Sequence, residues 1–215
     1  LAATDAPTPE GDAPESTRRG RISVRVVLLL AGIALGVYGI DQLAKALITA
    51  HLVLGEQVDL LGELLQLHFV KNSGAAFSLG SGFTWVLSFV AVGVVAFIIW
   101  FAPRITSPAW ATMFGLVLGG AVGNLTDRLF REPSFGQGHV IDFIQISGFP
   151  AIFNVADIAI VSGMGLFILL SLRGVSLDGT RANDPDADAV DADLDDVAAD
   201  DPNRAASDRP REPSA

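Results

Sequence analysis

Four stretches of the chain carry no charged side chain: residues 26–40, 83–102, 109–125 and 158–172. A helix needs about 20 predominantly apolar residues to cross the hydrocarbon core of a bilayer. The second stretch is long enough alone. The first and fourth reach that length by taking in Asp41 or Asp157 near one end, and the third by borrowing flanking residues. The pattern therefore predicts four transmembrane helices. Between the first two lies "QVDLLGELLQLHFVKNSGAAFSL", in which Leu65-Gln66-Leu67-His68-Phe69 alternates apolar and polar residues. That period of two predicts short β-strands. The expected fold class is all-α membrane, with a small extracytoplasmic β-sheet, or cradle, between spans one and two.

Basic residues orient the spans. Arg18, Arg19, Arg21 and Arg25 precede the first, Arg104 follows the second and Arg173 follows the fourth. Lys and Arg near span ends mark the cytoplasmic side. Both termini are expected inside, and loops 51–82 and 128–150 outside, although Lys71, Arg128 and Arg131 belong to the outer set. The first span has a basic flank and Ala44-Lys45-Ala46 imitates a cleavage site, but its apolar run exceeds a usual signal h-region. An uncleaved anchor is the expectation. Trp85, Trp100 and Trp110 lie near span ends, where indoles favour the interface.

Composition agrees: 50% of residues are hydrophobic and 18% charged, too apolar for an ordinary soluble domain of this size. The net charge of −10 misleads, because residues 178–215 alone hold twelve acids against four Arg. Three regions are expected: a disordered cytoplasmic tail (1–23), a four-helix domain (24–173) and a disordered acidic tail (174–215). There is no cysteine, so disulfides, thiolate nucleophiles, thiolate metal ligands and lipidation on cysteine are all excluded.

Placed on this topology, the unusual polar residues gather at one level. Asp41 and Lys45 lie at the outer end of span one, and Asn72 in the first outer loop. Asn124, Asp127 and Arg128 end span three, Asp142 lies in the second outer loop, and Asn154 and Asp157 begin span four. With a span starting near Ala151, Asp157 would lie about 9 Å below that start. Some of these groups have plain structural readings. Asp127 beside Arg128 suggests an ion pair, and Asp41 with Lys45 a helix-face pair. Asn124 and Asn154 suggest interhelical hydrogen bonds. Asp142 and Asp157 have no basic sequence neighbour except His139, and an intramembrane carboxylate usually serves a task.

No hydrolase elbow, H-E-x-x-H zinc pattern, phosphate loop or dinucleotide fingerprint occurs, and three scattered His are weak evidence for a metal. "GLVLGGAVGN" reads as close helix packing. The charge balance does not support nucleic-acid binding. Paired carboxylates remain: two held close cannot easily both ionise, so one keeps a proton. The ionised one can draw a proton from water while the other hydrogen-bonds a carbonyl. Read from residues alone, a proton or ion carrier and a mere helix-locking scaffold stay open beside hydrolysis. A carrier should place polar groups across the whole bilayer, whereas the inner halves of these spans are almost entirely apolar.

Five motifs then coincide in order on four spans: "DQLAKAL" at Asp41, "KNSGAAFSLG" from Lys71, "GGAVGNLTDRLF" from Gly119, "GHVIDFI" from Gly138 and "FNVADIAI" from Phe153. Over residues 24–173 the chain resembles lipoprotein signal peptidase, also called signal peptidase II. The resemblance implies an intramembrane aspartic peptidase of the bacterial inner membrane, with four helices and an extracytoplasmic β-cradle. Such enzymes remove the signal peptide from diacylglyceryl-modified prolipoproteins, cutting just before the lipid-modified cysteine, and are targets of the cyclic peptide globomycin. It implies Asp142 and Asp157 as catalytic. It places Asp41, Lys45, Asn72, Gly74, Asn124, Asp127, Arg128, Asn154 and Ala156 in substrate binding or support of the pair. No metal or cofactor is implied; the partners are the prolipoprotein and membrane lipid. A monomer is the simpler expectation, because four helices can enclose one site, whose place is near the outer leaflet. The departures are local: Lys71 before Asn72, Ile141 where Val is commoner, and a somewhat long loop before Asp142.

Overall fold

The structure, a computed structural model, describes residues 23–74 and 84–180. The expectations for most of both tails therefore lie outside the described residues. Among the described residues four helices are long and apolar enough to span a membrane: α1 (Val24–His51), α2 (Thr84–Phe101), α3 (Pro108–Phe130) and α4 (Val155–Leu172). α2 runs into a single 3-10 turn, Ala102–Arg104. Leu35, Phe89, Ile99, Val161 and Leu172 are among the large apolar side chains that α1, α2 and α4 leave exposed. In water this would be a sticky surface; in lipid it is the required one.

α3 is the central helix. Over its most apolar window 56% of the residues are buried, against 22%, 17% and 22% for α1, α2 and α4. Glycine makes this possible, because helices in lipid associate by close backbone packing rather than by hydrophobic expulsion from water. A Cβ on Gly119 would lie 2.6 Å from the Ala34 carbonyl oxygen of α1, and one on Gly120 2.5 Å from the Ala156 carbonyl oxygen of α4. The glycine run thus packs α1 on one face of α3 and α4 on another, as the sequence predicted.

The sheet is larger than the first outer loop alone provides. Strands β1 (Gln57–Asp59) and β2 (Leu65–Asn72) come from that loop, as expected. Strands β3 (Val140–Ile146) and β4 (Ile152–Phe153) come from the loop between α3 and α4. All pair antiparallel in the order β1-β2-β3-β4. β4 also corrects the start of the fourth span. Residues 152–153 are strand, so α4 begins at Val155 and Asp157 occupies its first turn. The cause is Asn154, whose side chain caps α4 and whose extended backbone separates strand from helix.

Two apolar clusters close the ends of the bundle. Val26, Leu30, Ile105, Trp110, Met113 and Leu170 form one. Ile48, Phe69, Ile141 and Phe143 form the other, beneath the sheet. Trp110 lies near a span end as expected, but its ring packs inward rather than standing free. It is buried, and its indole N–H donates to the Val175 carbonyl. The Thr106 and Ser107 amides both donate to the Leu177 carbonyl. Residues 174–180, assigned to the tail by composition, therefore form a strap across the α2–α3 connection.

The glycine packing gives a paired test. Gly119→Ala forces a methyl against backbone and should destabilise the bundle by about 1–3 kcal/mol. Gly36→Ala on α1 meets nothing within 4 Å and should stay within about 0.5 kcal/mol of the parent. Thermal unfolding in detergent compares the two; equal midpoints would refute the packing role.

Candidate active site

The polar cluster lies between the apolar ends and is built around Lys45, which is fully buried. An ammonium has three protons to donate, and each finds an acceptor. Lys45 Nζ is 2.8 Å from Asp41 Oδ2, 2.8 Å from Asp127 Oδ2 and 3.0 Å from Asn124 Oδ1. The expected Asp41–Lys45 pair is present. Asp127 does not pair with adjacent Arg128. Neighbours in a helix point about 100° apart, and Asp127 Oδ1 instead accepts from Arg131 Nε at 2.6 Å, one turn on.

Each carboxylate that holds Lys45 also holds a second element. Asp41 Oδ1 accepts the Ala156 amide of α4 at 3.0 Å, satisfying an N–H in the helix's first turn that has no intrahelical partner. Ala156 is fully buried and Gly123 faces it; a Cβ on Gly123 would lie 2.6 Å from Asp41 Oδ2. Asp127 Oδ2 accepts the Ile141 amide, immediately before Asp142 on β3. Gln42 Nε2 ties Asp41 to the Gly123 carbonyl.

Asp157 occupies the third position of α4 in a capping box. Its Oδ2 accepts the Asn154 amide at 3.1 Å, while Asn154 Oδ1 accepts the Asp157 amide at 3.0 Å. Asn124 Nδ2 donates to Asp157 Oδ1 at 2.8 Å. The expected interhelical bond is also present, Asn154 Nδ2 lying 3.1 Å from Asn124 Oδ1.

Asp142 reaches the same place from the sheet. Its Oδ1 accepts from Asn154 Nδ2 at 2.6 Å and its Oδ2 from Asn72 Nδ2 at 2.8 Å. Asn72 is oriented in turn by the Gly74 amide, which donates to its Oδ1. Arg128 Nη2 donates to the Gly74 carbonyl, and the guanidinium lies in the field of Asp142, Asp157 and Asp127. Burial pushes the Asp142 carboxyl up to about 7; the Asn72 hydrogen bond opposes that shift and the Asp157 charge adds to it.

Asp142 and Asp157 both line one cavity of about 470 Å³, with Asn72 at its polar end and Phe149, Phe153, Ile158 and Val161 among its apolar walls. A volume of that order suits a ligand rather than a lone ion. All eleven sequence-predicted residues thus belong to one connected network. His139 does not join it and lines a different cavity. Three participants were missed: Gln42, Arg131 and the Ile141 amide. Only Arg131 left a signal, its spacing of four from Asp127. No cluster able to hold a metal occurs among the described residues.

Comparison with known proteins agrees with this architecture. The family profile described as Signal peptidase (SPase) II matches residues 33–173. A lipoprotein signal peptidase of Leifsonia xyli subsp. xyli is 58% identical over 200 residues, covering 93% of this chain and 90% of that protein. One of Mycolicibacterium smegmatis is 44% identical over 186 residues, covering 86% and 76%. Two solved structures, each titled a bacterial membrane enzyme, superpose with TM-scores of 0.62 and 0.60 at 25% identity. They cover 73% and 71% of this chain and 93% and 96% of their own. With the profile spanning most of the chain and both apolar helices and polar network in place, the chain belongs to the signal peptidase II family.

Proposed function

We propose that Asp142 and Asp157 are the catalytic pair with which this family member cuts diacylglyceryl-modified prolipoproteins just before the lipid-modified cysteine. The observation that carries the reading is that the two carboxylates, from a strand and from a helix first turn, open onto one cavity and share Asn154 as a hydrogen-bond partner. The buried network supports a single proton on the pair. Asp41, Asp127, Asp142 and Asp157 supply four carboxylates, and Lys45, Arg128 and Arg131 three cations. One proton makes the group neutral, which a low-dielectric setting favours.

Asp142, whose burial keeps its proton up to about neutral pH, hydrogen-bonds the scissile carbonyl oxygen and polarises it. Asp157 takes a proton from water as that water attacks the carbonyl carbon, giving a tetrahedral intermediate with no covalent link to the enzyme. Asp157 then returns the proton to the departing amine. The peptide bond breaks, the signal peptide leaves with a carboxyl terminus and the cysteine keeps a free amino group. Asn72, Asn124 and Asn154 hold the carboxylates in register, while Lys45, Asp41, Asp127 and Arg128 fix the elements that carry them. The apolar side of the cavity accommodates the apolar signal-peptide segment. Arg25, Arg104 and Arg173 at the opposite end support a cytoplasmic side there, and with it cytoplasmic termini. The cavity then faces the outer leaflet of the cytoplasmic membrane. All the residues named come from one chain, so a monomer suffices.

Two outcomes test this reading. Asp142→Asn and Asp157→Asn should each lower cleavage of a diacylglyceryl lipopeptide by at least about 100-fold with helical content unchanged. Full activity in either variant, or proton flux through liposomes without cleavage, would defeat it. Because the pair needs one proton, activity should fall as pH rises through about 7, where Asp142 loses its own. The Asn72 bond lowers that value, so Asn72→Ala should move the alkaline limb upward, as read from kcat against pH. An unmoved limb would separate Asp142 from the proton.

A further inference from the structure

A second cavity, of about 430 Å³, lies behind the β2–β3 pair. Successive side chains on a strand point to opposite faces. Lys71 stands opposite Ile141 in the register, one residue from Asn72 and Asp142 respectively. Asn72 and Asp142 face the first cavity, while Lys71 and Ile141 line the second, and the two share no residue. The second cavity is therefore not an extension of the peptide site.

Its lining is basic. Lys71, Arg131 and His139 stand against one acid, Glu132. The Lys71–Glu132 pair is 3.1 Å long and well exposed, its side chains 36% and 83% accessible, so it contributes little and exchanges readily. Arg131 commits Nε to Asp127. Among the described residues its terminal nitrogens and the His139 ring have no hydrogen-bond partner. Beside these groups are apolar ones. Phe69 and Ile141 are buried, and Leu54 and Phe130 stand 56% and 74% exposed just beyond α1 and at the end of α3. The ends of membrane-spanning helices are where hydrocarbon meets head groups. A basic recess with an apolar lip at that height matches a phospholipid, phosphate inward and acyl chains against the helix ends. A free anion would have no use for the lip.

We propose that this cavity binds the phosphate head group of an anionic phospholipid through Lys71, Arg131 and His139, in the leaflet at the sheet end of the bundle. Basic recesses at membrane faces take phospholipid head groups by the same charge complementarity. The lipid would meet the edge of the network at Arg131, which donates to Asp127, the residue that holds both Lys45 and the Ile141 amide.

The test places the full chain in nanodiscs of equal phosphatidylglycerol and phosphatidylcholine and counts retained lipids by native mass spectrometry. The parent should retain phosphatidylglycerol preferentially. Lys71→Gln and the Lys71→Gln/His139→Gln pair should weaken that preference, by about fivefold for the Lys71 charge; Lys71 is exposed, so its change leaves the fold intact. Arg104→Gln, at the other end, should change nothing. Asp142→Asn should abolish cleavage yet keep the lipid preference, so the two readings fail separately. Equal retention of both lipids by the parent, or an undiminished preference in the double variant, would overturn the proposal. Displacement of phosphatidylglycerol by an equal concentration of inorganic phosphate would assign the cavity to free phosphate and overturn the lipid.

Discussion

The cluster depends on one buried cation. Lys45 is removed from water and would be costly there unless every proton were matched. Asp41, Asp127 and Asn124 provide that match. Each of the three also has a second obligation, to the first turn of α4, to β3 and to Asp157 respectively. Breaking the Lys45 contacts would therefore do more than leave a charge unpaired. It would release the tethers that hold the strand carrying Asp142 and the helix carrying Asp157. The ion pairs matter less for their net energy, which burial largely cancels, than for fixing which atoms may sit next to which.

The glycines of α3 set the distances that the cation requires. With Gly119 and Gly120 under the backbones of α1 and α4, both helices approach closely enough for short side chains to meet. Gly123 then leaves room for the Asp41 carboxylate itself. Close packing and the polar network are thus one arrangement. Small residues bring the backbones together, and the space saved is occupied by Asp, Asn and Lys rather than by methyl groups.

Much of this was legible in the sequence because membrane helices announce themselves by charge-free length. The polar residues stood out for the same reason, each being an exception in an apolar run. What escaped notice lay where one apolar element meets another. Residues 140–146 carry four β-branched Ile and Val between Gly138 and Gly148, a strand signal, but without clean polar alternation. β4 is two residues long and merged with the span that follows. The burial of Trp110 was hidden because residues 174–180, whose Val175 accepts its indole N–H, read as the start of a polar tail. Partner choice was also hidden. Asp127 bonding Arg131 rather than its neighbour follows from helix geometry, whereas its Lys45 contact joins residues 82 positions apart.

The position of Asp157 resolves how a carboxylate can stand at the head of an apolar span. At a helix's first turn it meets unpaired backbone N–H groups and the positive end of the helix dipole. It is therefore supported where the same group at mid-span would face closed hydrogen bonds and lipid. Asn154 makes this place useful. It caps α4, fixes both oxygens' neighbours on Asp157 through its amide and through Asn124, and donates to Asp142. The residue that starts the helix is thereby the one that sets the spacing of the two acids. A change in where α4 begins would move them apart, so the local rule for starting a helix and the geometry of the site are enforced by the same side chain.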